Sequence, residues 1–168
     1  MDWRSMERIA VFAGTFDPFT RGHQDITRRA LGLFDKIIVA IGKHAGKKTL
    51  FPLESRRAII MDTFADEPRV KVADYDGLTI DFCREQGAKF IIRGLRSGTD
   101  FDYERTIAQA NSMVEPEIET IFFVTRQAHA PIASTVVRDL LIHHADASAF
   151  LPEGIDITRY PCTPCCDL

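Results

Sequence analysis

The sequence predicts an α/β fold, a parallel sheet covered by helices on both faces, and two observations carry that reading. Five short runs, RIAVFAG (8–14), KIIVAIG (36–42), VKVADY (70–75), KFIIRG (89–94) and TIFFVT (120–125), are nearly continuous in apolar residues. Strands buried on both faces look like this. Between and after these runs lie segments with helical spacing, and strand–helix alternation repeated five times calls for parallel crossover units.

The helices follow in order. In RGHQDITRRALGLF (21–34), Ile26, Ala30, Leu33 and Phe34 share one face, and the Thr20 oxygen is placed to cap the start. PLESRRAIIMDTFA (52–65) opens with Pro52, which a first helical turn tolerates. GLTIDFCREQG (77–87) stops at Gly87. DFDYERTIAQANSMV (100–114) and STVVRDLLIHHA (134–145) complete the set, with Ser134 expected as a cap. No Pro-, Gly- or Ser-rich linker interrupts the chain, so residues 1–168 read as one domain. Residues 154–168, with Pro161 and Pro164, form an irregular tail.

A chain of 168 residues is long enough to bury a sizeable core, and its 45% hydrophobic and 27% charged content is ordinary for a globular protein. Lys+Arg 21 against Asp+Glu 24 gives a net charge of -3, which argues against a nucleic-acid partner. No apolar run approaches the ~20 residues of a membrane span. The opening MDWRSMERIAVF lacks a signal-peptide layout, so a cytoplasmic location with no membrane partner is expected. Cys83 reads as a core residue. Cys162, Cys165 and Cys166 crowd the tail but fall short of a zinc ligand set, so no protein-held metal is expected.

Open α/β sheets bind ligands outside the carboxyl ends of their strands. The first such loop, AGTFDPFTRGHQD, brings Gly14 and Thr15 to that edge and places His23 in the first turn of a helix, where an anion is favoured. GKHAGKKT (42–49) has the wrong glycine spacing for a P-loop, and no GxGxxG follows any strand. Lys47 and Lys48 still fall in the ligand-facing set, although a solvated basic turn explains them equally well. Arg93 ends an apolar strand and needs either a buried partner or an anion, and Arg96 follows one short step on. Ser134 and Thr135 begin the last helix, with Arg138 a turn later. Each signal alone is modest, and His23 by itself reads as an exposed helix-start residue. Gathered on one sheet edge, they describe a polyphosphate cradle.

GTFDPFTRGH, KK ahead of LFPLESR, IRGLRSGTDFDYE and IASTVVR resemble, in order and spacing, the bacterial phosphopantetheine adenylyltransferases of the nucleotidylyltransferase superfamily. The likeness covers about residues 7–153. It implies a Rossmann-like, doubly wound, five-stranded sheet and adenylyl transfer from ATP to 4'-phosphopantetheine, giving dephospho-coenzyme A and pyrophosphate. By that resemblance His23, Lys47, Thr15 and Arg96 are the catalytic residues. Phe16, Gly94, Leu95, Glu104, His129, Ala130, Pro131, Ile132, Ala133, Ser134 and Thr135 complete the ATP site. Thr15, Lys47, Thr79 and Arg93 hold phosphopantetheine. The resemblance further implies magnesium with ATP, coenzyme A as a feedback ligand, and a homohexamer. Three departures stand out: Ala13 where the family often has Pro, Ala133 where Ser is usual, and a tail without the common helical ending. Two alternatives remain open on the residues alone: transfer to a different phosphate monoester, and a nucleotide sensor without turnover.

Overall fold

Alternation along the central strands sorts the core into two layers. β1 (Ile9–Gly14) sends Ala10 and Phe12 to one face and Val11 and Ala13 to the other. β2 (Lys36–Gly42) divides Ile37, Val39 and Ile41 from Ile38 and Ala40 in the same way. The computed structural model, which describes residues 7–43, 46 and 48–163, adds β3 (Val70–Tyr75), β4 (Phe90–Leu95) and β5 (Glu119–Val124). All pairings are parallel, in the order β3-β2-β1-β4-β5. This is the Rossmann-like, doubly wound arrangement that the sequence predicts.

α1 (Arg21–Ala30) and α2 (Leu53–Thr63) cover the first layer through Ile26, Ala30, Ile59 and Ile60. α3 (Thr79–Glu85) covers the second through Ile80, Phe82 and Cys83. α4 (Gly98–Val114) lies on the α3 side, because Phe101 meets Phe122 edge-on at 5.9 Å and Phe122 is in register with Arg93, on the face of Ile91. α5 (Ser134–Ile142) is anchored by Val137 against Ala147 and Leu151. Strand order reverses between β1 and β4, and loops leaving their carboxyl ends part there.

Every predicted strand lies within one residue of its position, but three helix details differ. The first helix ends at Ala30, because the next N–H groups, of Gly32 and Leu33, bond three residues back and tighten the chain into a turn. Leu33 is thereby turned outward, while Phe34 stays buried. Pro52 sits just outside α2 as its N-cap. Ser134 is not the cap of α5. Ala133 holds that position, and the Ser134 hydroxyl donates to the Pro18 carbonyl at 2.9 Å.

Cys83 is a core residue as expected, and burial pushes its thiol up to about 12. Among its described residues the tail has no helix beyond a single turn at Ile157–Arg159, yet Ile155, Ile157, Tyr160 and Cys162 pack on the first core layer. Cys165 and Cys166 lie outside the described residues. Among the described residues no three His, Cys, Asp or Glu side chains gather as a metal site, and no helix is long and apolar enough to cross a membrane.

Candidate active site

A cleft of about 390 Å³ opens at the carboxyl ends of β1 and β4. Of the residues the sequence singles out, Gly14, Thr15, Phe16, His23, Lys48, Arg93, Gly94, Arg96, Glu104, Ile132, Ala133, Ser134, Thr135 and Arg138 line it. Leu95, Ala130, Pro131 and Thr79 do not. Thr79 begins α3, where its hydroxyl meets that of Tyr75 at 2.7 Å. His129 faces a different depression, shared with Arg21, Arg28, Arg29 and Arg126. Lys47 lies outside the described residues.

His23 is the third residue of α1, and its placement follows from a capping box. The Thr20 hydroxyl accepts from the His23 N–H at 3.4 Å, and the Thr20 N–H donates to His23 Nδ1 at 3.0 Å. A backbone N–H can only donate, so Nδ1 is the acceptor and the ring proton sits on Nε2. The rings of Phe12, Phe16 and Phe19 surround the imidazole, with centroids 5.1 to 6.0 Å away. Burial, reinforced by Arg96 and Arg93, holds His23 down at about 3. The imidazole is therefore neutral at pH 7, a hydrogen-bond donor through Nε2.

The turn after β1 is held by its carbonyls. Arg93 donates to Ala13 O at 2.8 Å, Arg56 to Thr15 O at 2.8 Å, Arg138 to Asp17 O at 2.7 Å and Ser134 to Pro18 O. Four side chains from β4, α2 and α5 thus fix one short backbone stretch. Within it Phe16 takes φ 51, a left-handed conformation, and folds its ring back over Gly14. A Cβ on Gly14 would stand 2.9 Å from that ring, so the glycine is required by Phe16 as well as by the open cleft. Phe16 is 4% exposed and packs among aromatics, leaving its backbone to face a ligand.

Sequence reasoning missed Asp17 and Arg56. Asp17 is 3% exposed, and its carboxylate accepts from Leu50 N–H at 2.9 Å and Phe51 N–H at 2.8 Å, with Arg138 alongside at 3.8 Å. It ties the β1 turn to the loop that follows Lys48. Arg56 links the same two segments, donating to Phe51 O as well as to Thr15 O. Burial lowers its pKa below the usual guanidinium value, against the opposing pull of Asp17 and Glu54. A signal was present: a charge within an apolar Phe-Asp-Pro-Phe run must find a partner.

Arg93 and Arg96 carry carboxylate partners of their own. Arg93 grips Glu104 in a two-point pair at 2.7 and 2.5 Å, and Arg96 pairs with Asp100 at 3.1 Å. Burial pulls the Asp100 carboxyl up, but hydrogen bonds and the positive charge of Arg96 together outweigh it and hold the group below its ordinary value. These acids hold the guanidinium groups in place at the cleft. At the far side, α5 begins with Ala133 and no side-chain cap, so its first N–H groups face the cleft without a hydroxyl partner. With alanine at the N-cap, no side-chain oxygen of that residue occupies the helix start.

Comparison with known proteins fits this geometry. The Cytidylyltransferase-like family profile matches residues 11–140. A phosphopantetheine adenylyltransferase from Flavobacterium psychrophilum is 48% identical over 150 residues, 89% of this chain and 99% of that protein. One from Phocaeicola vulgatus is 50% identical, and one from Bacteroides thetaiotaomicron 47%, with the same coverage. The chain belongs to the phosphopantetheine adenylyltransferase family. Within it the GTFDP turn and the Thr-x-Gly-His signature have clear structural meanings, the first a backbone held by its carbonyls and the second a capping box with imidazole as its third residue. The solved bifunctional NMN adenylyltransferase/ADP ribose pyrophosphatase from Francisella tularensis superposes with a TM-score of 0.68 at 19% identity, over 89% of this chain. That likeness reflects the shared fold, and this chain spans about half the length of that protein, 46%.

Proposed function

We propose that this chain transfers the adenylyl group of ATP to 4'-phosphopantetheine, releasing pyrophosphate and forming dephospho-coenzyme A. One observation carries the reading furthest: a neutral imidazole, with its proton on Nε2, held in an aromatic collar at the edge of a basic cleft. An acceptor phosphate oxygen attacks the α-phosphorus, the bond to the bridging oxygen breaks, and pyrophosphate leaves with its electrons. No protein nucleophile is needed, so catalysis rests on positioning and on stabilising charge in the transition state. His23 Nε2–H donates to an α-phosphate oxygen. Thr15 orients the reacting phosphates from the fixed turn, and Arg96 with the open start of α5 steadies the leaving β- and γ-phosphates. Lys47 and Arg93 receive the acceptor phosphate, and Glu104 keeps the Arg93 fork in register. Thr79 and the His129–Ile132 segment serve the pantetheine arm and the nucleotide.

The carboxylates that line the cleft are already engaged: Asp17 by backbone N–H groups, Asp100 by Arg96 and Glu104 by Arg93. Magnesium therefore enters as part of the MgATP substrate, held by phosphate oxygens. Both substrates are charged phosphates made inside the cell, which fits a cytoplasmic enzyme. Coenzyme A carries the adenylate and pantetheine parts of the product and would compete for the same cleft. A homohexamer is what the family resemblance implies, and self-association fits α4, a helix of 17 residues with none buried, which exposes Tyr103, Ile107, Met113 and Val114. A second copy of this chain would cover that face.

The deciding assay mixes the protein with ATP, magnesium and 4'-phosphopantetheine. Equal amounts of dephospho-coenzyme A and pyrophosphate are expected, with no pyrophosphate when the acceptor is left out. Pyrophosphate with another phosphate monoester, but not with this one, would reassign the acceptor.

A further inference from the structure

The C-terminal segment beyond the family motifs touches the backbone just after Lys48. Tyr160 donates to Asp62 at 2.6 Å, and the buried Ser55 hydroxyl donates to the Pro161 carbonyl at 2.8 Å, so the tail is fastened along α2. It then reaches Thr49 and Leu50. The Thr163 N–H donates to Leu50 O at 2.7 Å, and the Thr163 hydroxyl approaches Leu50 O at 3.0 Å and Thr49 O at 3.4 Å.

On its inner side the same loop is held by Asp17 through Leu50 N–H and Phe51 N–H, and by Arg56 through Phe51 O. The backbone next to Lys48 is thus gripped from two directions, by the β1 turn within and by the tail without.

We infer that Thr163 is a positioning residue: through Leu50 and Thr49 it sets where the neighbouring Lys48, which lines the cleft, stands towards the acceptor phosphate. This rests on the reading of that loop as the acceptor-phosphate subsite. The chemistry is simple geometry. A lysine is a point charge on a flexible stem, and its reach depends on where its backbone is fixed. A loop held on one side only samples more positions, and misplacement by about 1 Å is enough to slow a transfer reaction.

Two truncations separate this role from a structural one. A chain stopped after Thr163 keeps all three contacts and should match the full chain. A chain stopped after Cys162 loses them, and its acceptor KM should rise about five-fold, the scale of one net hydrogen bond, with ATP KM unchanged. Amide exchange across residues 48–51 should quicken in that chain alone. Equal constants in both truncations overturn the inference, as does an ATP KM that rises in step with the acceptor KM, or a loosened loop with an unchanged acceptor KM. Lys47→Ala in the full chain tests the underlying reading separately: an unchanged acceptor KM there removes the acceptor subsite, whatever the tail does.

Discussion

The Thr20 N–H donates to His23 Nδ1 at 3.0 Å, and that bond decides which nitrogen of the imidazole faces the cleft with a proton. The helix cap thus fixes the tautomer on which the proposed chemistry depends. His23→Ala should lower kcat by roughly 10²–10³-fold, the scale for removing one transition-state donor. ATP binding, followed by calorimetry, should change far less. Thr20→Val keeps the N–H bond but loses the hydroxyl cap, costing about 1 kcal/mol of stability with a smaller loss of kcat. Turnover near the parent level in His23→Ala would remove the imidazole from the mechanism.

The same burial makes His23 a source of acid sensitivity. Its folded pKa is about 3 against an ordinary 6.5, so the unfolded chain binds the extra proton first as pH falls. Stability from this group is complete above pH 6.5 and is lost progressively towards 3, with a limiting slope of about 1.4 kcal/mol per pH unit. Urea unfolding of the parent and His23→Gln at pH 7, 6 and 5 measures it. The parent should lose more stability on acidification than the variant, and parallel curves would contradict the neutral-imidazole assignment.

The strands were legible because continuous apolar runs have few other uses, and the cleft because charges and hydroxyls repeated after successive strands. What escaped depended on contacts between distant segments. A hydroxyl at a helix start has two outlets, and Ser134 uses the one that reaches Pro18 rather than its own helix. Arg93, ending an apolar strand, calls for a buried partner or an anion, but only the fold brings Glu104 and Ala13 O to it together. Leu33 fitted the helical face by spacing, yet the chain had already turned at Gly32. Roles for His129, Ala130, Pro131, Leu95 and Thr79 came from resemblance, and none of these lines the cleft.

Asp17 should prove as consequential as the residues that face substrate. Its carboxylate holds two N–H groups of the lysine loop, and its backbone carbonyl takes Arg138. Asp17→Asn replaces one accepting oxygen with an amide that faces a donor. The expected loss is about 2–3 kcal/mol, as for buried hydrogen bonds to a charged group. A lowered kcat should accompany it, because the Thr15 turn and the Lys48 loop lose their common anchor. Denaturation and steady-state kinetics on the same preparation check both, and a variant of full stability would show that the carboxylate charge is dispensable.

Gly94 tests whether the cleft floor is set by packing. A Cβ built there would stand 2.5 Å from Ile26 Cδ1, the tip of an α1 side chain that also lines the cleft. Gly94→Ala must therefore push α1 away from β4 or turn Ile26 from its rotamer, at about 1–3 kcal/mol. Since α1 carries His23, kcat should fall as well. Ile26→Val deletes the clashing atom and leaves the next nearest at 4.0 Å, an ordinary contact. The double variant should thus be more stable and more active than Gly94→Ala alone, an interaction that a double-mutant cycle measures directly. Strict additivity of the two substitutions would mean that the glycine is needed for room towards the ligand and not towards the helix.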